Sequence, residues 1–455
     1  MASRTLPHDN PFPEYSIMTL NTSLKTIAAA AAMAFSLSAA GADTITLVQA
    51  GHLLDRPGQA PRGASTLVVR NDKVAEVLDG FVGAERYAGA SVIDLRQRFV
   101  LPGLIDSHVH LTSDRAGVEG QLAAVTDSVA ASAYEAQMNA HKTLQAGFTT
   151  VRNLGDGDGV TLALRDAVAK GWVQGPRIID AGAPISTTSG HMDGRLGYTD
   201  WVQHAVPTTN LCDGPESCRK AVRVQVGRGV DVIKIATTGG VNSVIGAGVN
   251  KQMFDDEAKA LIEAAHLYGK KVAVHAHGAT GINLALAAGA DSIEHGTLLD
   301  DEGAKLFLKS GAYYVPTLST INGYKERIAA NPDAYSPAVR AKIDWRIGIT
   351  GKALKQAHAR GIKIAFGTDA GVSKHGRNAD EFELMVQFGM TPAEAIKAAT
   401  VNAADLLGVS AVAGSLEAGK NADLIAVSAD PLADVRALKK VDFVMVGGQV
   451  VKTPK

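Results

Sequence analysis

From Thr44 to about Arg98, apolar positions come in short alternating stretches (Ile45, Leu47 and Val48, then Leu67, Val68 and Val69) broken by Gly and Pro. Alternation interrupted by such breakers predicts short antiparallel strands. The C-terminal stretch has the same style. Ala422-Asp-Leu-Ile-Ala-Val reads as a strand, and Val441-Asp-Phe-Val-Met-Val-Gly-Gly-Gln-Val-Val as two strands joined at a Gly-Gly turn. The two ends are expected to pair into one small β domain that clasps the middle.

Between them the pattern changes. Short apolar runs alternate with helix-like segments: Val100–Ile105, Thr149–Arg152, Arg177–Ala181, Val230–Ile235, Lys271–His275, Asp291–His295, Ala312–Thr317 and Ile362–Asp369. Helices such as 255–268, opened by Asp255-Asp256-Glu257 and closed by Gly269, carry the charge bias and stop signal of crossover helices. Eight strands alternating with helices over about 300 residues predict an α/β fold, a (β/α)8 TIM barrel whose functional residues gather at strand C-terminal ends. The expected division is a β-sandwich part at 43–100, a barrel at 101–413 and a second β-sandwich part at 414–455.

At 455 residues the chain exceeds what one hydrophobic core serves, in keeping with a large domain and a smaller companion. With 45 Lys and Arg against 46 Asp and Glu, no charge imbalance points to nucleic acid or an anionic membrane as partner. Residues 1–42 stand apart. An alanine-rich apolar run from Ile27 follows Lys25 and ends at Ala40-Gly41-Ala42, which predicts a signal peptide preceded by an upstream extension, with Met18 as a second possible start. The protein is then expected to be exported, periplasmic or secreted, with no membrane association after cleavage. Cys212 and Cys218, the only cysteines, would form a local disulfide in such a compartment, because two thiols cannot complete a zinc shell.

Candidate chemistry sits at the ends of the predicted barrel strands. His108 and His110 are two residues apart, so a strand sends both imidazoles out of one face as a two-point grip for a metal ion. Lys234, His275, His295 and Asp369 each end their own apolar run. By alternation with Ile233 and Ile235, Lys234 points inward, where a plain ammonium would be repelled by nearby cations. A salt bridge at the barrel rim is its competing role. His275 and His277 share a face, and either could be the ligand. Asp369 could also serve as a helix cap. The glycines from Gly239 to Gly248 do not form a phosphate loop, because no Gly-Lys-Ser/Thr follows and the spacing does not fit the dinucleotide fingerprint.

Taken together, Val100-Leu-Pro-Gly-Leu-Ile-Asp-Ser-His-Val-His, Asp231-Val-Ile-Lys-Ile-Ala-Thr-Thr-Gly-Gly-Val, Val274-His-Ala-His-Gly, Ser292-Ile-Glu-His-Gly and Phe366-Gly-Thr-Asp-Ala-Gly resemble the amidohydrolase superfamily. The likeness is to its imidazolonepropionase-like and Xaa-Pro dipeptidase-like branch, which includes ochratoxin A-hydrolysing enzymes, and it spans the chain through Gly414-Ser-Leu-Glu-Ala-Gly-Lys. It implies two divalent metal ions, zinc first among them, held by His108, His110, Lys234, His275, His295 and Asp369. It further implies that Lys234 is carboxylated by carbon dioxide and bridges the metals, that His275 rather than His277 pairs with His295, and that Asp369 is the catalytic proton carrier. The implied activity is hydrolysis of amide bonds to a C-terminal amino acid in a small-molecule substrate, by a homo-oligomer. His191, His277, Tyr324 and His375 are candidate substrate contacts. Competing readings are a cyclic-amide hydrolase, a deaminase, against which Lys234 argues because deaminases of the superfamily generally lack that lysine, and a non-catalytic barrel used for binding.

Overall fold

A computed structural model describes residues 43–454, apart from 116, 207, 246 and 247. The signal peptide and upstream extension expected at 1–42 lie outside the described residues. Among the described residues no helix is long and apolar enough to cross a membrane.

Both chain ends contribute to one seven-stranded sheet. Its strands are β1 (Ile45–Leu53), β2 (Ser65–Arg70), β3 (Lys73–Asp79) and β4 (Ser91–Pro102) from the N-terminal side, and Leu424–Val427, Val441–Val446 and Gln449–Lys452 from the C-terminal side. Val48, Leu67, Leu95, Leu424, Phe443 and Met445 share a core of their own, so the sheet wraps round apolar residues from both ends of the chain. One detail differs from the expected antiparallel pattern: β1 pairs parallel with β4, because the chain from Gly80 to Ala90 carries it back before β4 runs alongside. At the C-terminal hairpin Gly447 and Gly448 have φ of 53° and 73°, the paired positive values that a two-residue turn needs.

The middle of the chain forms parallel strands: β5 (Leu104–Val109), β6 (Phe148–Asn153), β7 (Arg177–Asp180), β8 (Ile233–Ala236), β9 (Val272–Ala276), β10 (Ser292–His295) and β11 (Tyr313–Val315). They pair in the orders β5-β6-β7 and β8-β9-β10-β11. Almost every residue in them is buried, as expected of parallel strands covered on both faces. The first strand starts later than its hydrophobicity suggests. Val100 to Pro102 pair with the C-terminal strand Leu424–Val427, and the run resumes as β5 only after Gly103.

The run from Ile362 to Asp369 is extended but forms only isolated bridges. It is nonetheless bonded on both sides: Tyr314 N–H donates to Lys363 O at 2.8 Å, and Ser107 N–H to Phe366 O at 2.9 Å. A parallel bridge between Ile185 and Ile235 joins the segment after β7 to β8. Single parallel bridges thus link the segment after β7 to β8, β11 to Ile364, and Ala370 to the end of β5.

Helices fill the connections. Asp255–Leu267 starts where its acidic cluster indicates, with the Glu257 carboxylate accepting the Phe254 N–H at 2.8 Å. Cys212 and Cys218 are bridged, tying the start of the helix Pro215–Gly227 to the preceding loop.

The Gly-Gly hairpin supplies a test of the two-ended sheet. A Cβ on Gly448 would stand 2.1 Å from Asn71 O and would require a positive φ. Gly448→Ala is expected to destabilise the fold by roughly 1–3 kcal/mol, read as a lowered urea midpoint with an unchanged m value.

Candidate active site

β5 carries His108, and His110, the residue just past its end, also turns toward Asp369. His108 Nδ1 is 2.8 Å from Glu294 Oε2, and its Nε2 lies 3.4 Å from Asp369 Oδ1. His110 Nε2 is 3.2 Å from the same Asp369 oxygen. Lys234 on β8, His275 on β9 and His295 at the end of β10 complete the group, and all six expected ligands line one cavity of about 820 Å³.

The imidazoles lie close together. Ring centres are 5.1 Å apart for His108 and His295, 4.6 Å for His275 and His295, and 4.8 Å for His277 with either of these last two. Ligand atoms of His108, His295 and Asp369 lie within 4.8 Å of one another, and so do those of His275, His277 and His295. His295 belongs to both sets. His277, which the resemblance leaves for substrate, is thus part of the cluster, although its Nδ1 is engaged by Thr297 Oγ1 at 2.8 Å.

Backbone strain concentrates here. His295, Thr317 and Asp369 have φ of 70°, 48° and 57°, and only two other non-glycine residues among those described share the left-handed region. Such residues cost free energy and persist where neighbours over-determine them. His295 Nδ1 is held by Thr317 Oγ1 at 2.7 Å. Asp369 N–H donates to His108 O at 2.8 Å, and the preceding Thr368 is clamped to Asp106 through its hydroxyl at 2.6 Å.

Burial sets the protonation states. It pushes the His108 imidazole down to about 4, and those of His275 and His295 well below their ordinary value. These rings are therefore neutral at physiological pH, with nitrogen lone pairs free to ligate. Burial also lowers the Lys234 ammonium to about 8, against the pull of Glu294 and Asp369. For Asp369 burial acts upward, but the imidazoles of His108 and His110 and the Lys234 charge outweigh it, and the carboxyl lies below its ordinary value. Lys234 Nζ is buried with no hydrogen-bond partner. An orphaned amine among neutral imidazoles and an ionised carboxylate is a donor set that fits divalent cations.

Two charged residues supporting the cluster escaped the sequence reading. Arg152 on β6 donates to Glu294 Oε1 at 2.8 Å, to Ser292 Oγ at 3.2 Å and to Ser107 O at 2.6 Å. Arg152 and Glu294 are at most 1% exposed. Glu294 in turn accepts from His108 Nδ1, which orients the ring and leaves Nε2 to face the cavity. Burial acts upward on the Glu294 carboxyl, yet Arg152 first, then His108 and Lys234, bring it down to about 2. The available signal was a charge of each sign inside short apolar runs.

The weaker candidates separate. His191, His277 and Tyr324 line the cavity, whereas His375 does not. Both nitrogens of His375 are used, by Thr143 Oγ1 at 3.2 Å and by His110 O at 2.9 Å, so it supports the backbone of His110 from behind. The His191 ring is centred 4.1 Å from that of His275, its Nδ1 buried without a partner. It fits only because residue 240 is glycine, where a Cβ would lie 2.1 Å from the ring. Arg346, on the helix Pro337–Ile349, also lines the cavity. Nothing in its sequence context marks the helix face that turns inward.

Glu294→Gln would leave Arg152 as an uncompensated buried charge, and is expected to destabilise the protein by roughly 3–5 kcal/mol in chemical denaturation. The folded value of Glu294, about 2, lies below its ordinary 4.5. Its ionisation therefore stabilises the fold fully above that ordinary value, and the contribution is lost as pH falls through the folded one. The variant should show a shallower loss of stability than the parent across that window.

A family model described as the amidohydrolase family matches residues 99–451. The ochratoxinase of Aspergillus niger is 33% identical over 433 residues, covering 90% of this chain and 87% of that protein. A solved Xaa-Pro dipeptidase with methionine bound in its active site aligns with a TM-score of 0.85 at 39% identity, over 90% of this chain and 100% of that one. A solved prolidase complexed with N-methylphosphonate-L-proline aligns with a TM-score of 0.81 at 30% identity, again over 90% and 100%. The chain belongs to the amidohydrolase family.

Proposed function

We propose that this protein is a binuclear metal-dependent hydrolase that cleaves amide bonds to a C-terminal amino acid, in dipeptides or N-acyl amino acids, ochratoxin A among them. The observation that carries the reading is the orphaned Lys234 amine, buried in one cavity with five further ligand-type side chains. An amine with no partner in such a place is accounted for by carboxylation with carbon dioxide: the nitrogen lone pair takes up the carbon, a proton leaves, and the resulting carbamate offers oxygens where the ammonium offered a repelled charge. His108, His110, Lys234, His275, His295 and Asp369 would then hold two divalent ions, zinc being suited to the imidazoles. The ligands named for the relatives, methionine and an N-phosphonyl proline, are amino-acid compounds and favour this substrate class.

Bound divalent cations supply Lewis acidity and acidify water. Asp369 contributes the proton chemistry. It lies at hydrogen-bonding distance from the cluster, its carboxyl is ionised at neutral pH, and it can accept a proton from the attacking water. When the C–N bond breaks, the same carboxyl returns that proton to the departing nitrogen, which otherwise would leave as an amide anion. The Arg152–Glu294–His108 chain holds the imidazole still while this happens.

In this reading the two parallel sheets and the single bridges that link them are a (β/α)8 barrel at 101–413, and the seven-stranded sheet is a β-sandwich from 43–100 and 414–455. Export, with the Cys212–Cys218 bridge forming in an oxidising compartment, and a homo-oligomeric assembly belong to the same proposal.

A product-release assay on N-acyl amino acids, dipeptides, ochratoxin A and cyclic amides tests it. The metal-replete protein is expected to carry about two divalent ions per chain and to lose its activity reversibly with chelator. Asp369→Asn is expected to lower kcat by about 10²- to 10⁴-fold. A metal-replete protein that releases product from none of these amides would overturn the assignment.

A further inference from the structure

Arg346 is a buried cation with an unfinished set of hydrogen bonds. The residue is 4% exposed and its guanidinium borders the catalytic cavity. Its Nη1 donates to Thr350 Oγ1 at 3.1 Å, and among the described residues no carboxylate comes within ion-pair distance of it. The acidic groups nearest in electrostatic effect, Glu381 and Asp369, are spoken for. Glu381 accepts the N–H groups of Leu318 and Ser319 at 2.8 and 2.6 Å, and Asp369 faces His108 and His110. A guanidinium cannot shed its proton to escape this situation. The other deeply buried arginine, Arg152, shows the usual solution, a carboxylate partner at 2.8 Å.

The position of this charge is informative. Arg346 lines the same cavity as His277 and Tyr324, and all three are only 4% exposed, so Arg346 lies at the buried end near the imidazole cluster. The lysine on the same helix is not equivalent, because Lys342 Nζ is taken by the carbonyls of Gly240 and Ser243. The more exposed part of the lining includes the apolar Val125, Trp201, Val202 and Val206, beside the carboxylate of Asp158. With Lys234 converted to its carbamate, Arg346 is the unpaired cation left to a ligand anion among the described residues that line the cavity.

Resting on the amide-hydrolase reading, we propose that Arg346 is the specificity-determining anchor for the substrate's free carboxylate. The planar guanidinium takes the carboxylate of the C-terminal amino acid in a charge-assisted, two-point contact. The scissile amide then lies toward the imidazole cluster and the acyl group toward the apolar mouth. The class selected is N-acyl amino acids and dipeptides with an ionised C-terminus, and amides capped at that end are rejected because the buried guanidinium would stay unpaired.

The test compares an N-acyl amino acid with its C-terminal carboxamide in the parent, Arg346→Met and Arg346→Lys, all metal-replete. The parent is expected to favour the free acid by about 100-fold or more in kcat/KM. Arg346→Met should lose most of that preference, through a raised KM on the acid and no parallel fall in kcat/KM on the carboxamide, and Arg346→Lys should recover part of it. Equal rates of the parent on both compounds, or a parallel loss on both in Arg346→Met, overturns the assignment of Arg346. Calorimetry on the metal-free parent and on Arg346→Met gives a readout that needs no turnover and separates Arg346 from the unpaired Lys234 amine. In the parent a free L-amino acid should bind about 100-fold more tightly than its amide and in Arg346→Met it should not; equal affinity in the parent, or a preference kept in the variant, sinks the anchor. A parent that cleaves no amide yet binds the free amino acid selectively overturns the hydrolase reading and leaves the anchor standing.

Discussion

The hydrogen bond from His108 Nδ1 to Glu294 governs the rest of the site, because it decides which imidazole nitrogen carries the proton. A neutral imidazole has one donor and one acceptor, and fixing the donor at Nδ1 leaves the Nε2 lone pair facing the cavity. Glu294 can hold that proton only while it is ionised, and it is ionised in a dry interior only because Arg152 lies against it. Arg152 in turn spans from β6 to the backbone of β5 and the side chains of β10. One buried ion pair therefore couples three strands to the orientation of one ligand-type ring.

Asp369 depends on a second clamp of the same kind. The segment that carries it has no regular ladder, so its position comes from single contacts: Thr368 on Asp106, Asp369 N–H on His108 O, and His110 N–H on Ala370 O. Asp106 also accepts from Asn378 Nδ2 at 2.7 Å and from His108 N–H at 3.1 Å. Gly367 lets this segment approach closely, since a Cβ there would stand 2.4 Å from Val315 and 3.1 Å from the Cβ of His108. The left-handed φ of Asp369 is the local cost of turning its carboxyl back toward the rings.

Short apolar runs bounded by turn signals made most of the parallel strands legible, and the candidate side chains stood out as polar residues at or near the ends of those runs, although only the family resemblance chose His275 over His277. The boundary at Val100–Ile105 was not legible. Hydrophobicity is continuous across it, and only the pairing of Val100–Pro102 with the C-terminal strand separates β4 from β5. The parallel direction of β4 against β1 was hidden for a similar reason, since alternation reports which face is buried and says nothing of strand direction. His375 shows a different limit. A histidine six residues beyond Asp369 is close in sequence, yet the turn at Ala370–Ser373 carries it behind His110, where it bonds a carbonyl instead of facing the cavity. Arg346 was invisible because helix periodicity identifies a buried stripe by apolar residues, and a buried cation counts against the stripe it belongs to.

Arg152 and Arg346 together explain how one cavity can hold charges of both signs without collapsing into internal ion pairs. Arg152 is committed to Glu294, so the rings above it sit over a neutralised base. Arg346 is kept from Glu381 because that carboxylate is bonded to the backbone at Leu318 and Ser319, and from Asp369 because that carboxylate faces two imidazoles. Each potential internal partner is thus occupied before it could reach the guanidinium. A site arranged in this way keeps its cation available in the folded state, and the free energy withheld from internal pairing is what a bound carboxylate can gain.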